Sequence, residues 1–374
     1  MRVLQSPGPV NWEVARQVAG WVALGGGQEA PVDGAAQAQF DELARAAQTH
    51  VVAETGLAST FAVPTRTIGR QAWAELHLDA LRPVLTALAT NLGRAMQEPG
   101  GGPLPGLPGE EAGGADPFAG LVGMLAPALL GLQAGSMIGH LATHALGRYD
   151  LPLPTSDDPS LCFVVANVDA FEEAWSLPRD DLRFAVALHE VVHAAERSVP
   201  WVRDRLVALA TRYVSGYELD EDAFEARFGR IDPADPSSFS EIAADPATLV
   251  GAMQTPAQRE VLADLQALVS VLAGYADDVL RRVGRRLIGS FDQIQEALQR
   301  HRLEQGEAGR FVELLLGVAV DREHYERGSA FCAGVVEREG PDALNRLWEG
   351  EAMLPTRSEL EAPGLWLARI DMPA

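Results

Sequence analysis

Residues 186–195 read Val186-Ala187-Leu188-His189-Glu190-Val191-Val192-His193-Ala194-Ala195, an apolar run broken only by two histidines and the glutamate between them. Such a run predicts a helix packed in the core with one chemically active face. His189 and His193 lie four apart, so both imidazoles project from that face with roughly 5 to 6 Å between their β-carbons, a gap one zinc ion can bridge. Glu190 follows the first histidine, and its carboxylate can flank the metal and take a proton from a metal-bound water. Zinc lowers the pKa of that water to about 7, and hydroxide delivered to a carbonyl carbon is the chemistry of amide hydrolysis. With 8 His and 52 acidic residues in 374, chance supplies such a pattern in at most about two or three chains per hundred. The bland alternative is a pair of core histidines satisfied by hydrogen bonds.

A zinc site needs three protein ligands and one open position. Glu196 stands seven residues after His189, roughly 10 Å along the helix axis, and reads as a solvated carboxylate at the helix end. No Gly-x-x-His follows His193, which leaves a later helix to supply the third ligand, as in gluzincins.

The formal net charge of −22 repels phosphate backbones and anionic head groups, so neither nucleic acid nor a membrane is an expected partner. Arg281, Arg282, Arg285 and Arg286 form the best basic patch and read as one solvated helix face. Two cysteines, Cys162 and Cys332, are too few for a disulfide framework or a cysteine-rich zinc site, and no export signal opens the chain; the cytoplasm is the expected location.

Capping and punctuation signals predict helices over 12–24 after Asn11, from 35, over 71–96 with a bend at Pro83, over 169–175 capped by Asp169, over 179–197, from Pro200, and over 255–283. Residues 99–116 are rich in Gly, Pro and Glu. They read as a linker. Residues 118–146 are long and apolar enough to span a membrane if taken alone, and Gly131, Gly135 and Gly139 repeat at the spacing that lets helices approach closely. Pro127, Gln133, Ser136, His140 and His144 argue instead for two buried helices broken near the proline. Residues 161–165 read as a short strand, and Gly306, Gly328, Gly340 and Pro355 punctuate a helical tail. The expected organisation is a helical region over 1–98, a flexible Gly/Pro linker over 99–117, and a catalytic-type region with a helical C-terminal part over 118–374.

The runs Gly147-Arg148-Tyr149-Asp150-Leu151-Pro152-Leu153-Pro154, Phe163-Val164-Val165-Ala166-Asn167-Val168, Val199-Pro200-Trp201-Val202-Arg203-Asp204 and Leu354-Pro355-Thr356-Arg357 resemble, in order and over nearly the whole chain, the Zincin_2 family of bacterial zincin-like proteins. The resemblance implies a mainly α fold with a small β element, in which a zincin-like active-site helix packs among a helical bundle. It implies zinc, with His189 and His193 as ligands and Glu190 as base. Members often carry a label linking them to deazaflavin coenzyme biosynthesis, which matches no chemistry in these residues. In that family a later helix carries Glu-Gly-His-Ala-Asp, whose Glu should be the third ligand and whose Asp should orient a metal histidine. The matching segment here is Ala273-Gly274-Tyr275-Ala276-Asp277. Ala273 cannot bind a metal, whereas Asp277 could ligate directly, orient a histidine, or be an exposed helical Asp beside Asp278. Two functions follow as expectations: a zinc-dependent hydrolase, foremost a peptidase acting on a peptide or protein, or a catalytically impaired zincin-fold protein serving as a binding module.

Overall fold

The computed structural model describes residues 8–57, 63–95, 117–151, 154–155, 158, 160–216, 255–303 and 322–372. Asn11 accepts the Val14 N–H at 3.1 Å and starts α1 (Trp12–Ala23), as its capping chemistry predicts. Gly25 and Gly26 then take left-handed φ angles of 58° and 75°, which ends the helix. Asp33 caps α2 (Gly34–Thr55) through the Ala35 N–H. A strand that the hydrophobic pattern did not announce, β1 (Thr65–Ile68), leads into α3 (Arg70–Ala95), with Pro83 inside it.

Pro127 does not break the apolar segment, which forms one helix, α4 (Pro117–Ala142). The reason is its partner. Asn11 donates its N–H to the Pro127 carbonyl at 2.8 Å, and α1 lies so close that a β-carbon at Gly131 or Gly135 would overlap the carbonyl oxygen of Asn11 or Ala15. Packing against α1 outweighs a local proline penalty of about 3 kcal/mol. The glycine stripe therefore serves an intramolecular helix pair, and among the described residues no helix is long and apolar enough to cross a membrane.

The strand expected near residue 161 is β2 (Leu161–Val164), which pairs in parallel with β1, Thr65 opposite Leu161 and Ile68 opposite Val164. It runs straight into α5 (Val165–Trp175), so Asp169 lies inside the helix rather than capping it. The earlier start follows from Asn167, whose amide donates to the Ala142 and Ala145 carbonyls at 2.9 and 2.7 Å and ties the first turn to the end of α4. Asp169 instead pairs with Arg183 at 2.7 Å.

Next come α6 (Arg179–Ser198), which carries both histidines, and α7 (Pro200–Ser215), with Pro200 at its first position. A capping box between Thr255 and Gln258 starts α8 (Pro256–Leu287). After α9 (Phe291–Leu303) and α10 (Arg322–Glu339), the chain closes with α11 (Pro341–Asn345), two 3-10 turns (Arg346–Glu349 and Glu351–Met353), α12 (Arg357–Glu361) and α13 (Pro363–Ile370). Gly328 does not punctuate this tail. It sits inside α10, where a β-carbon would overlap the Ser270 carbonyl, while one at Gly274 would overlap the Gly328 backbone: α8 and α10 cross glycine to glycine. Gly340, at φ 84°, does end α10. Gly306 lies outside the described residues, as does the expected linker apart from Pro117.

One hydrophobic cluster runs from Ala15 to Ile370, and α6 sits in it against α2, α7, α8, α9 and β2. The expected mainly α fold with a small β element is what the described residues form. The basic face of α8 is not uniformly solvated, because Arg282 donates to Asp278 at 2.8 Å and also bridges to Glu54; Arg285 and Arg286 do face solvent.

Candidate metal centre

Helix α6 places His189 and His193 with ring centroids 4.5 Å apart and planes inclined by 75°. Both are buried, each 6% exposed. Burial disfavours the imidazolium, and the nearby Arg302 guanidinium adds to the effect: the proton affinity of His189 falls to about 3, and that of His193 also falls well below the ordinary value, with His189, Arg197 and Arg302 contributing after burial. At neutral pH both rings are uncharged, the form in which imidazole binds a metal.

Glu190 is buried beneath the segment Leu146–Leu151. Its Oε2 accepts the Arg148 N–H at 2.8 Å and its Oε1 accepts the Tyr149 N–H at 2.9 Å, while Oε1 stands 3.7 Å from His189 Nδ1. The approach needs Gly147, where any β-carbon would overlap the Glu190 carboxyl group. Burial pushes the Glu190 carboxyl up to about 8, against the pull of the two N–H groups. Each carboxylate oxygen keeps a second lone pair beyond its backbone bond. The group is thus rigidly placed, and a cation bound beside it would lower its proton affinity toward the range of a general base.

Glu196 is not a solvated carboxylate at the helix end. It is fully buried, and its Oε2 lies 2.6 Å from His193 Nδ1. From His189 it lies two turns along the helix; from His193 it is three residues on and so on the same face. Arg197 flanks the pair, with Nη1 3.6 Å from Glu196 Oε2, and its guanidinium lies 5.0 Å from the Tyr149 ring.

Asp277, on α8, is buried and faces this neighbourhood, so it is no exposed helical aspartate. Its carboxylate accepts from Arg302 Nη1 at 3.2 Å, and Arg302 also donates to the Tyr325 hydroxyl. Among the described residues, no hydrogen bond joins Asp277 to either imidazole. Arg302, from α9, and Tyr325, from α10, carry no sequence signal as site residues, because their proximity to α6 depends on how three helices pack. Asp150 lies nearby, its Oδ2 accepting the Leu146 N–H at 3.1 Å and standing 3.7 Å from His301 Nε2.

These residues fit a metal in part. Two neutral imidazoles and a carboxylate at one ring's far nitrogen suit zinc, but Ala273 brings only a methyl group one turn before Asp277. Among the described residues no three His, Cys, Asp or Glu side chains converge to hold an ion.

Comparison with known proteins narrows the lineage. No curated protein matches the chain. A solved structure from Chloroflexus aurantiacus, described as a candidate hydrolase with a novel fold, is similar at 26% identity and a TM-score of 0.64, covering 98% of this chain and all of that one. The model of the zincin-like metallopeptidases matches residues 10–367, nearly the full length, and the chain belongs to that family.

Proposed function

We propose that this protein is a zinc-dependent hydrolase that cleaves peptide bonds, with His189 and His193 as metal ligands, Glu190 as general base, and Asp277 as the charged group α8 contributes. The observation that carries the reading is the adjacency of two buried, uncharged imidazoles to a buried carboxylate held by two backbone N–H groups. A zinc ion, when bound, supplies Lewis acidity and a water acidic enough to ionise near neutral pH. With the charge of a bound cation beside it Glu190 would be ionised, able to accept that proton and return it to a leaving amine. Arg148 and Tyr149 hold the carboxylate through their main chain, so the proton is taken at a defined place. The net charge of −22 favours a peptide or protein substrate over nucleic acid or an anionic membrane surface. Two free, buried thiols suit the reducing cytoplasm.

The test is metal analysis of protein purified without chelators or added zinc, followed by peptide hydrolysis assays. About one zinc per chain is expected. Replacing Glu190 by Gln should abolish turnover and leave the metal in place; peptide cleavage by metal-free protein would contradict the reading.

One observation favours a second reading, a zincin fold that binds a partner without catalysis. Ala273 stands where the family resemblance puts the third ligand, and the carboxylate of Asp277, one turn on, is paired with Arg302. Two histidines alone hold zinc weakly. Ala273→Glu should then raise zinc affinity by a factor of ten or more, and an unchanged affinity would count against Ala273 as the ligand position.

A further inference from the structure

Glu190 is held by two consecutive peptide groups, and α3 grips both of them from the other side. The Gly147 carbonyl accepts the Trp73 indole N–H at 2.7 Å, and the Arg148 N–H of that same peptide donates to Glu190 Oε2 at 2.8 Å. The Arg148 carbonyl stands 3.2 Å from His77 Nε2, and the Tyr149 N–H of that next peptide donates to Glu190 Oε1 at 2.9 Å. A trans peptide is planar, with its C=O and N–H pointing in opposite directions, so fixing the oxygen fixes where the N–H points. Two successive N–H groups turned to one side form a concave seat for a carboxylate.

We infer that Trp73 is a positioning residue for Glu190: by anchoring the Gly147 carbonyl it aims the seat formed by the Arg148 and Tyr149 N–H groups at the carboxyl group. This rests on the proposed hydrolase for its purpose, though not for its geometry. The direction of the bond is fixed by chemistry, since an indole N–H only donates and a carbonyl only accepts. Trp73 and His77 are both fully buried, so water does not compete for these carbonyls. Four residues apart on one face of α3, their rings stack with centroids 3.7 Å apart and planes inclined by 21°, which holds the indole in place. His77 Nδ1 lies 2.9 Å from the Trp73 carbonyl, so each of its nitrogens faces a carbonyl, and whichever carries the proton donates to the main chain.

The competing role for Trp73 is to fill space, because its indole also belongs to the hydrophobic cluster. Filling space needs the bicyclic ring, whereas positioning needs its N–H. Benzothienylalanine, in which sulfur replaces that N–H, keeps the first and removes the second. The Arg148 N–H also lies 3.1 Å from the Cys162 carbonyl, which makes the Tyr149 N–H the cleaner reporter.

Amide hydrogen exchange of the full-length, chelator-treated protein reads the difference. With benzothienylalanine at position 73, the Arg148 and Tyr149 amides should exchange about 5- to 10-fold faster, the effect of one lost hydrogen bond, while the amides of α3 and α8 keep their wild-type rates. Unchanged rates at Arg148 and Tyr149 overturn the proposal, as does an equal rise throughout α3, which lost packing would give. Should that variant fail to fold, the reciprocal measurement decides. Coupling runs both ways, so Glu190→Gln should speed exchange of the Trp73 indole N–H by a similar factor, and an unmoved indole overturns the proposal. In zinc-loaded protein that cleaves peptides, the position 73 replacement should lower kcat about 10-fold at unchanged KM, and an unmoved kcat overturns it too. Exchange that responds as expected in a protein that takes up no zinc would sink the hydrolase reading and leave the role of Trp73 intact.

Discussion

Asp277 and Arg302 form a largely buried ion pair, 3.2 Å from Oδ1 to Nη1, and the Arg302 charge acts on both imidazoles of α6. Removing one partner of such a pair strands the other charge. Arg302→Met is therefore expected to destabilise the protein by about 3 to 5 kcal/mol, and Arg302→Met combined with Asp277→Asn to recover much of that loss. Chemical denaturation of the wild type and both variants measures it. The single variant should also bind zinc more tightly than wild type, since Asp277 is released and a cation beside both imidazoles is gone; equal affinity would show that Arg302 does not compete with the metal.

Gly147 lets the Leu146–Leu151 segment touch Glu190. Gly147→Ala places a methyl group on the carboxyl carbon, so either the segment lifts or the side chain turns. A loss of about 1 to 3 kcal/mol is expected. Hydrolysis, once a substrate is found, should fall further than stability alone explains. An unshifted thermal midpoint would contradict this contact.

The buried groups prescribe a pH profile for the metal-free protein. Burial lowers His189 to about 3 and His77 to about 4, and lowers His193 as well, so the unfolded chain takes up protons first as the pH drops. Their stabilisation is complete above pH 6.5 and is lost as the pH falls through the folded values. Burial raises Glu190 to about 8 and raises Glu196 too. Here the folded state holds protons that the unfolded chain releases from about pH 4.5, so stability declines with rising pH until the folded value is passed. Stability in chelator should peak near pH 6.5 and decline on both sides. His189→Gln should flatten the acid limb and Glu190→Gln the alkaline limb, as followed by thermal melts across pH.

The crossing of α8 and α10 has no room for side chains at Gly328. Gly328→Ala forces the two backbones apart at Ser270, and a loss of several kcal/mol is expected, large against the 5 to 15 kcal/mol of a typical domain. Because α8 carries Asp277 and α10 carries Tyr325, the same change should weaken the Arg302 cluster. A variant that melts like wild type would show that the helices separate freely.

Much of this architecture is legible in the residues. Asn11, Asp33, Thr255 and the prolines at 200 and 256 act within one helical turn of themselves, so capping and first-turn signals locate their helices to within a residue or two. The spacing of His189, Glu190 and His193 likewise suffices to put them on one face. Local signals do not suffice where a distant partner decides the outcome: Pro127 stays helical because α1 lies against it, and α5 begins early because Asn167 reaches the end of α4.

The same division runs through the centre. By itself the chain determined the helical class and the core helix that carries His189 and His193 on one face, consequences of periodicity and of contacts within a few residues. Only the tertiary structure decided which carboxylate serves which partner: Glu196 went to His193, Asp277 to Arg302, and Glu190 to the main chain of Arg148 and Tyr149. A buried charge must find a counter-charge or a hydrogen-bond donor, and which one it finds depends on the packing of α6, α8, α9 and the segment at Gly147, which no local spacing encodes.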